Sequence, residues 1–136
     1  MEQPTLSSDD YASIHEAGRA LALRYGGIVT INAMLERWES VVEDIEDGFD
    51  AQYAFEYRHD LWCRDWLAEA WPILTAAVRS HRDGELRRLD ARHLSATTHL
   101  EGVSADRAEP GGGRWWHWRR PRVVECVEGL ELPSGW

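Results

Sequence analysis

A chain of 136 residues with 24 acidic against 15 basic side chains and a net charge of −9 repels nucleic acid and anionic membrane and attracts a basic partner. Its length is that of a single domain with its own core. A hydrophobic content of 43% beside 29% charged residues excludes wholesale disorder.

Ser7, Ser8, Asp9 and Asp10 offer N-cap oxygens ahead of an apolar pattern at Tyr11, Ile14, Gly18, Leu21 and Tyr25. Spacings of three and four residues place these on one face of a first helix, which Gly26-Gly27 ends because glycine accepts the left-handed C-cap. Ile28, Ile31, Leu35, Trp38, Val42, Ile45 and Phe49 continue the same alternation and predict a long second helix stopping at Asp47-Gly48. Its acids lie off the stripe and lack the opposite-sign flanking partners of a coiled-coil dimer, so packing within the chain is expected.

A third helix is predicted from Asp50 through Tyr53, Tyr57, Leu61, Trp62, Trp66, Leu67 and Ala70. Pro72 lacks a backbone donor and kinks or ends it near Trp71. The pattern resumes through Leu74, Ala77 and Val78 as far as Asp83-Gly84. Leu86, Leu89 and His93 favour helix to about residue 95, while 95–103 fits helix or strand. The core is expected to hold Ile14, Leu21, Ile31, Leu35, Trp38, Val42, Ile45, Leu61, Leu67 and Leu74.

Residues 104–113, with Pro110 ahead of three glycines, read as a Gly-rich linker or loop. Beyond it, 114–136 is rich in tryptophan, arginine and valine and predicts two short strands broken at Pro121. The expected fold is mainly α: a helical bundle of three to four helices over 1–103, with a small C-terminal β element folded onto it. Trp115, Trp116 or Trp118 should pack on the helices, with Arg119, Arg120 or Arg122 near bundle carboxylates.

The charge is concentrated. Residues 36–71 hold eleven acids (Glu36, Glu39, Glu43, Asp44, Glu46, Asp47, Asp50, Glu56, Asp60, Asp65 and Glu69) against Arg37, Arg58 and Arg64. All fifteen basic residues are arginine, whose planar fork pairs carboxylates with defined geometry.

Catalytic patterns are sparse. Glu56-x-x-His59 puts a carboxylate and an imidazole on one helix face, but di-iron bundles use that spacing twice. His59 and Cys63 at i and i+4 have no neighbouring ligand in sequence, so no metal and no cofactor are expected. Cys63 and Cys126 are too few for a disulfide framework and read as buried apolar residues of a reducing compartment. The N-terminal residues lack a signal-peptide pattern, so a cytoplasmic location is expected. Gly111-Gly112-Gly113 precedes strand-like sequence rather than a helix and is no phosphate loop. The Trp115–Arg122 patch could stack on single-stranded nucleic acid, yet the acid excess argues for an internal role.

The expected function is a non-catalytic acidic binding protein, of the immunity or antagonist type, that docks a basic protein surface. Its contacts are expected at Glu39, Glu43, Asp44, Glu46 and Asp47, with Arg58, Trp62, Asp65 and Trp66 as aromatic and charged anchors, since Trp and Arg dominate binding energetics. Two alternatives stay open: a small-molecule-binding helical domain with an aromatic pocket, and an assembly subunit using its Trp-rich C-terminus. A homo-oligomer is compatible with either.

Overall fold

The computed structural model describes residues 5–111 and 113–136. Helix α1 runs Ser8–Tyr25 behind a capping box, in which Ser7 Oγ accepts from the Asp10 amide and Asp10 accepts from the Ser7 amide. Gly26 closes it at φ 77°. Helix α2 spans Ile31–Glu46 and is capped by Thr30, whose hydroxyl accepts from the Ala33 amide. The helix therefore starts three residues later than its apolar stripe, and Ile28 is exposed. A β-branched hydroxyl at the cap outweighs the continued periodicity.

Asp47 caps α2, and Gly48 turns the chain at φ 98° into the two-residue strand β1, Phe49–Asp50. The predicted third helix is divided. A 3-10 turn at Ala51–Tyr53 leads into α3, Ala54–Asp60, and Leu61 separates it from α4, Trp62–Ala70. Pro72 ends α4 in a second 3-10 turn, Trp71–Ile73.

The expected break at Gly84 is absent. Helix α5 runs unbroken from Ala76 to Ala96, capped by the Thr75 hydroxyl, with Val78, Leu86, Leu89 and His93 buried. Gly84 is exposed in ordinary helical backbone. A glycine there costs about 1 kcal/mol against alanine, less than the burial on either side of it supplies. Strand β2, Thr97–His99, settles the ambiguous stretch.

The stretch read as a linker contains the one-turn helix α6, Ala105–Ala108, and Ala108 is fully buried. Trp115–Trp118 forms a 3-10 turn rather than a strand. Pro121 ends β3, Arg119–Pro121, instead of interrupting two strands, and β4 is Val124–Glu125. These strands pair with distant elements: β3 antiparallel to β2, with Thr98 opposite Arg120, and β4 parallel to β1, with Phe49 opposite Val124. The result is a mainly α bundle with a small C-terminal β element.

The core lies where α2 packs on α4 and α5, with α1 covering α4. Every expected core residue is buried except Ile14, which is half-buried at the edge. Trp115 and Trp116 join the same core from the C-terminal segment. Cys63 is buried and its thiol is pushed up to about 12 by burial, whereas Cys126, expected to be buried, is exposed.

His93 is fully buried at the centre. The Tyr57 hydroxyl, whose ionisation burial suppresses, hydrogen-bonds its Nε2 at 2.9 Å. The Trp38 ring lies 4.7 Å away and the Trp115 ring 5.5 Å. Burial, reinforced by Arg119 and Arg64, lowers the imidazole pKa to about 3. The native state thus holds His93 neutral, while the unfolded chain protonates it below its ordinary value of about 6.5. This contribution is complete above that value and is lost as pH falls toward the folded pKa, at about 1.4 kcal/mol per pH unit. The urea midpoint is expected to drop between about pH 7 and about pH 5, and His93→Gln to flatten that slope. Equal slopes in wild type and variant would place the acid sensitivity in other groups.

Candidate functional site

The acids of α2 divide by their position on the helix. Glu43, Asp44, Glu46 and Asp47 are exposed, and Glu39 is half-buried. Glu46 is already engaged: Arg92 of α5 holds it in a bidentate pair at 2.6 and 3.0 Å. That pair keeps the Glu46 carboxyl below the usual carboxylate range.

Asp44 and Asp47 instead join a concave site. The turn at Gly48 brings the end of α2 against the start of α3, and a pocket of about 340 Å³ opens between them. Asp44, Asp47, Asp50, Glu56 and Asp60 line it, with Phe49 and Tyr53 as aromatic wall and no arginine or histidine among the lining residues. Tyr53 is exposed, and Phe49 is buried against Tyr57, ring centroids 5.3 Å apart. Burial, with Glu56 and Asp44 adding to it, raises the Asp60 carboxyl above the ordinary range, against an opposing pull from His59 and Arg37. Gly48 is required at this turn, because its positive φ strains any other residue and a Cβ there would sit 2.9 Å from Glu125 Oε1.

The remaining expected anchors take other places. Trp66 is fully buried and belongs to the core, so it presents nothing to a partner. Its helix is covered by both α1 and α2, which the spacing from Trp62 does not reveal. Trp62 is half-buried, with the Arg37 guanidinium 5.1 Å from its ring and Tyr25 beside it. Arg58 is exposed, 5.9 Å from the Trp118 ring.

Asp65 is an internal hub. Trp116 Nε1 donates to its Oδ1 at 2.8 Å, His117 Nε2 lies 2.7 Å from the same oxygen, and Arg114 approaches Oδ2 at 3.5 Å. Glu69, one turn on, meets Arg24, Arg114 and the Tyr25 hydroxyl. Arg114 reaches both carboxylates from a left-handed backbone at φ 41°, a conformation that costs a residue with a Cβ and is held by what its side chain grips.

The expected pairing of Arg119, Arg120 or Arg122 with bundle carboxylates is therefore made by Arg114. Arg119 is buried and donates to Thr97 Oγ1 and to the carbonyls of Leu94, Thr97 and Ala108, with Glu109 at 3.5 Å. Arg120 and Arg122 donate to the carbonyls of Pro121 and Thr97.

A second internal network joins Trp38 Nε1 and Arg64 to Asp90. The indole donates at 3.0 Å, and the guanidinium forks onto both carboxylate oxygens at 2.9 and 3.0 Å. The Arg64 guanidinium also lies 4.2 Å from the Trp116 ring. Glu56 and His59 line different pockets, Glu56 the acidic one and His59 one with Arg24, Tyr25 and Trp62. Among the described residues no three His, Cys, Asp or Glu are placed to hold a metal ion. Nor is any helix among them long and apolar enough to cross a membrane.

No protein-family model, curated protein or solved structure matches the chain.

Proposed function

We propose that this is a non-catalytic acidic binding protein, of the immunity or antagonist type, whose acidic pocket receives a basic side chain of a protein partner. The observation that carries the reading is convergence: five carboxylates from α2 and its C-cap, β1 and α3 border one concavity whose lining among the described residues holds no cation. Like charges gathered around a pocket raise its negative potential and focus field lines into it, which steers a basic partner and gives its arginine or lysine a seat. Exposed Tyr53 supplies a wall on which a guanidinium can stack. Glu43 extends the same field along α2, whereas Glu46, neutralised by Arg92, adds little to it.

The test is charge reversal at positions outside the core and outside the internal ion pairs. Asp44→Arg with Asp47→Arg leaves the α2 stripe intact, so the fold is expected to survive. A basic protein captured by the native chain at low salt, then purified, is expected to associate at least about tenfold more slowly with the variant. The difference should shrink at high salt, because exposed charges act on encounter and are screened. Equal association rates across salt concentrations would show that these acids serve only solubility.

A further inference from the structure

A second pocket, of about 280 Å³, lies on the other side of α3, between that helix, β3 and residues 133–136. Its charged lining has the opposite sign. Arg58 and Arg119 line it beside His117, and among the described residues no carboxylate does, in a chain whose net charge is −9. The rest of its wall is largely apolar, with Phe55, Leu61, Leu100 and Trp136.

One cation of this lining is not consumed internally. Arg119 is buried, donates to Thr97 Oγ1 and to three backbone carbonyls, and pairs with Glu109 at 3.5 Å, so its charge is partly neutralised. Arg58 makes no ion pair among the described residues and lies only near the Trp118 ring. His117 spends Nε2 on Asp65, and its buried Nδ1 has no hydrogen-bond partner among the described residues. Buried polar atoms are nearly always satisfied, so this Nδ1 is an unspent polar group on a residue of the pocket wall.

We propose that this pocket binds a small organic carboxylate with an aromatic or other apolar body, the carboxylate held by Arg58 and the body against Phe55 and Trp136. An apolar cavity of about 150 Å³ takes one benzene ring, so the space here suits a two-ring body carrying one acidic group. The site is separate from the acidic pocket and does not depend on the protein–protein reading.

The experiment is calorimetric titration of the full chain with 2-naphthoate and, separately, with 2-naphthamide, which share a body and differ in charge. One equivalent of naphthoate is expected to bind, roughly tenfold more tightly than the amide, the gain of a charge-assisted contact over a neutral one. Arg58→Gln, at an exposed position, is expected to weaken naphthoate severalfold and leave the amide unchanged. Ser134→Trp, also exposed, fills the pocket and is expected to abolish both. Circular dichroism of the two variants checks that they fold. The proposal is overturned if the amide binds as well as the naphthoate, if Ser134→Trp leaves naphthoate binding intact, or if no saturable binding appears at millimolar concentration.

Discussion

Replacing Asp90 with alanine is expected to destabilise the fold by about 3–5 kcal/mol, measured as a fall in ΔG of urea unfolding at constant m. Arg64 is only 8% exposed, and Asp90 supplies both oxygens of its fork while also accepting the Trp38 indole. The substitution leaves a guanidinium buried beside the Trp116 ring with no anion, and its Nη1 has no hydrogen-bond partner among the described residues even in the native state. The size of the effect comes from stranding a charge, not from the net worth of the pair. Exchanging both partners for apolar residues, Arg64→Met with Asp90→Leu, is therefore expected to recover the part of the loss due to the stranded cation, leaving the cost of the Trp38 indole without its acceptor. A double variant no better than Asp90→Ala would show that the pair itself, rather than the unpaired cation, carries the stability.

Removing residues 111–136 is expected to abolish cooperative unfolding. The truncation takes Trp115 and Trp116 out of the core, and loss of a buried tryptophan side chain costs about 3–5 kcal/mol each. Together they rival the whole stability of a typical domain, about 5–15 kcal/mol. It also removes the partners of β1 and β2 and the donors to Asp65. Near-UV circular dichroism and a urea titration check this. A truncated chain that keeps a sharp transition at the urea midpoint of the full chain would make the C-terminal segment an independent arm.

What could be read from the residues was whatever repeats locally. The α2 stripe works as a signal because that helix buries one face, and Gly26 works because a left-handed cap excludes other side chains. Gly84 misleads because composition marks a breaker while burial at Val78, Leu86, Leu89 and His93 decides. Trp66 misleads for a related reason: a helix covered from more than one side buries residues that spacing assigns to its rim. The acids of the pocket were visible as charge, but their concavity depends on the Gly48 turn and on β4 lying alongside β1. Arg114 and His117 are distant in sequence from Asp65, and no local pattern announces that contact.

The pairing of Phe49 with Val124 and of Thr97 with Pro121 sets an order on folding. Helix α2 packs on α4 and α5, and α1 on α4, so these helices can come together once residues up to 96 are present. Strands β1 and β2 cannot pair then, because each waits for a partner later in the chain, and closing a long loop is slow. Until residues 115–125 are free, the Trp38–His93 face has no Trp115 to cover it, and a half-made chain presents aromatic surface of the kind that chaperones hold and aggregates recruit. The core is thus completed only when Trp115 and Trp116 dock on it.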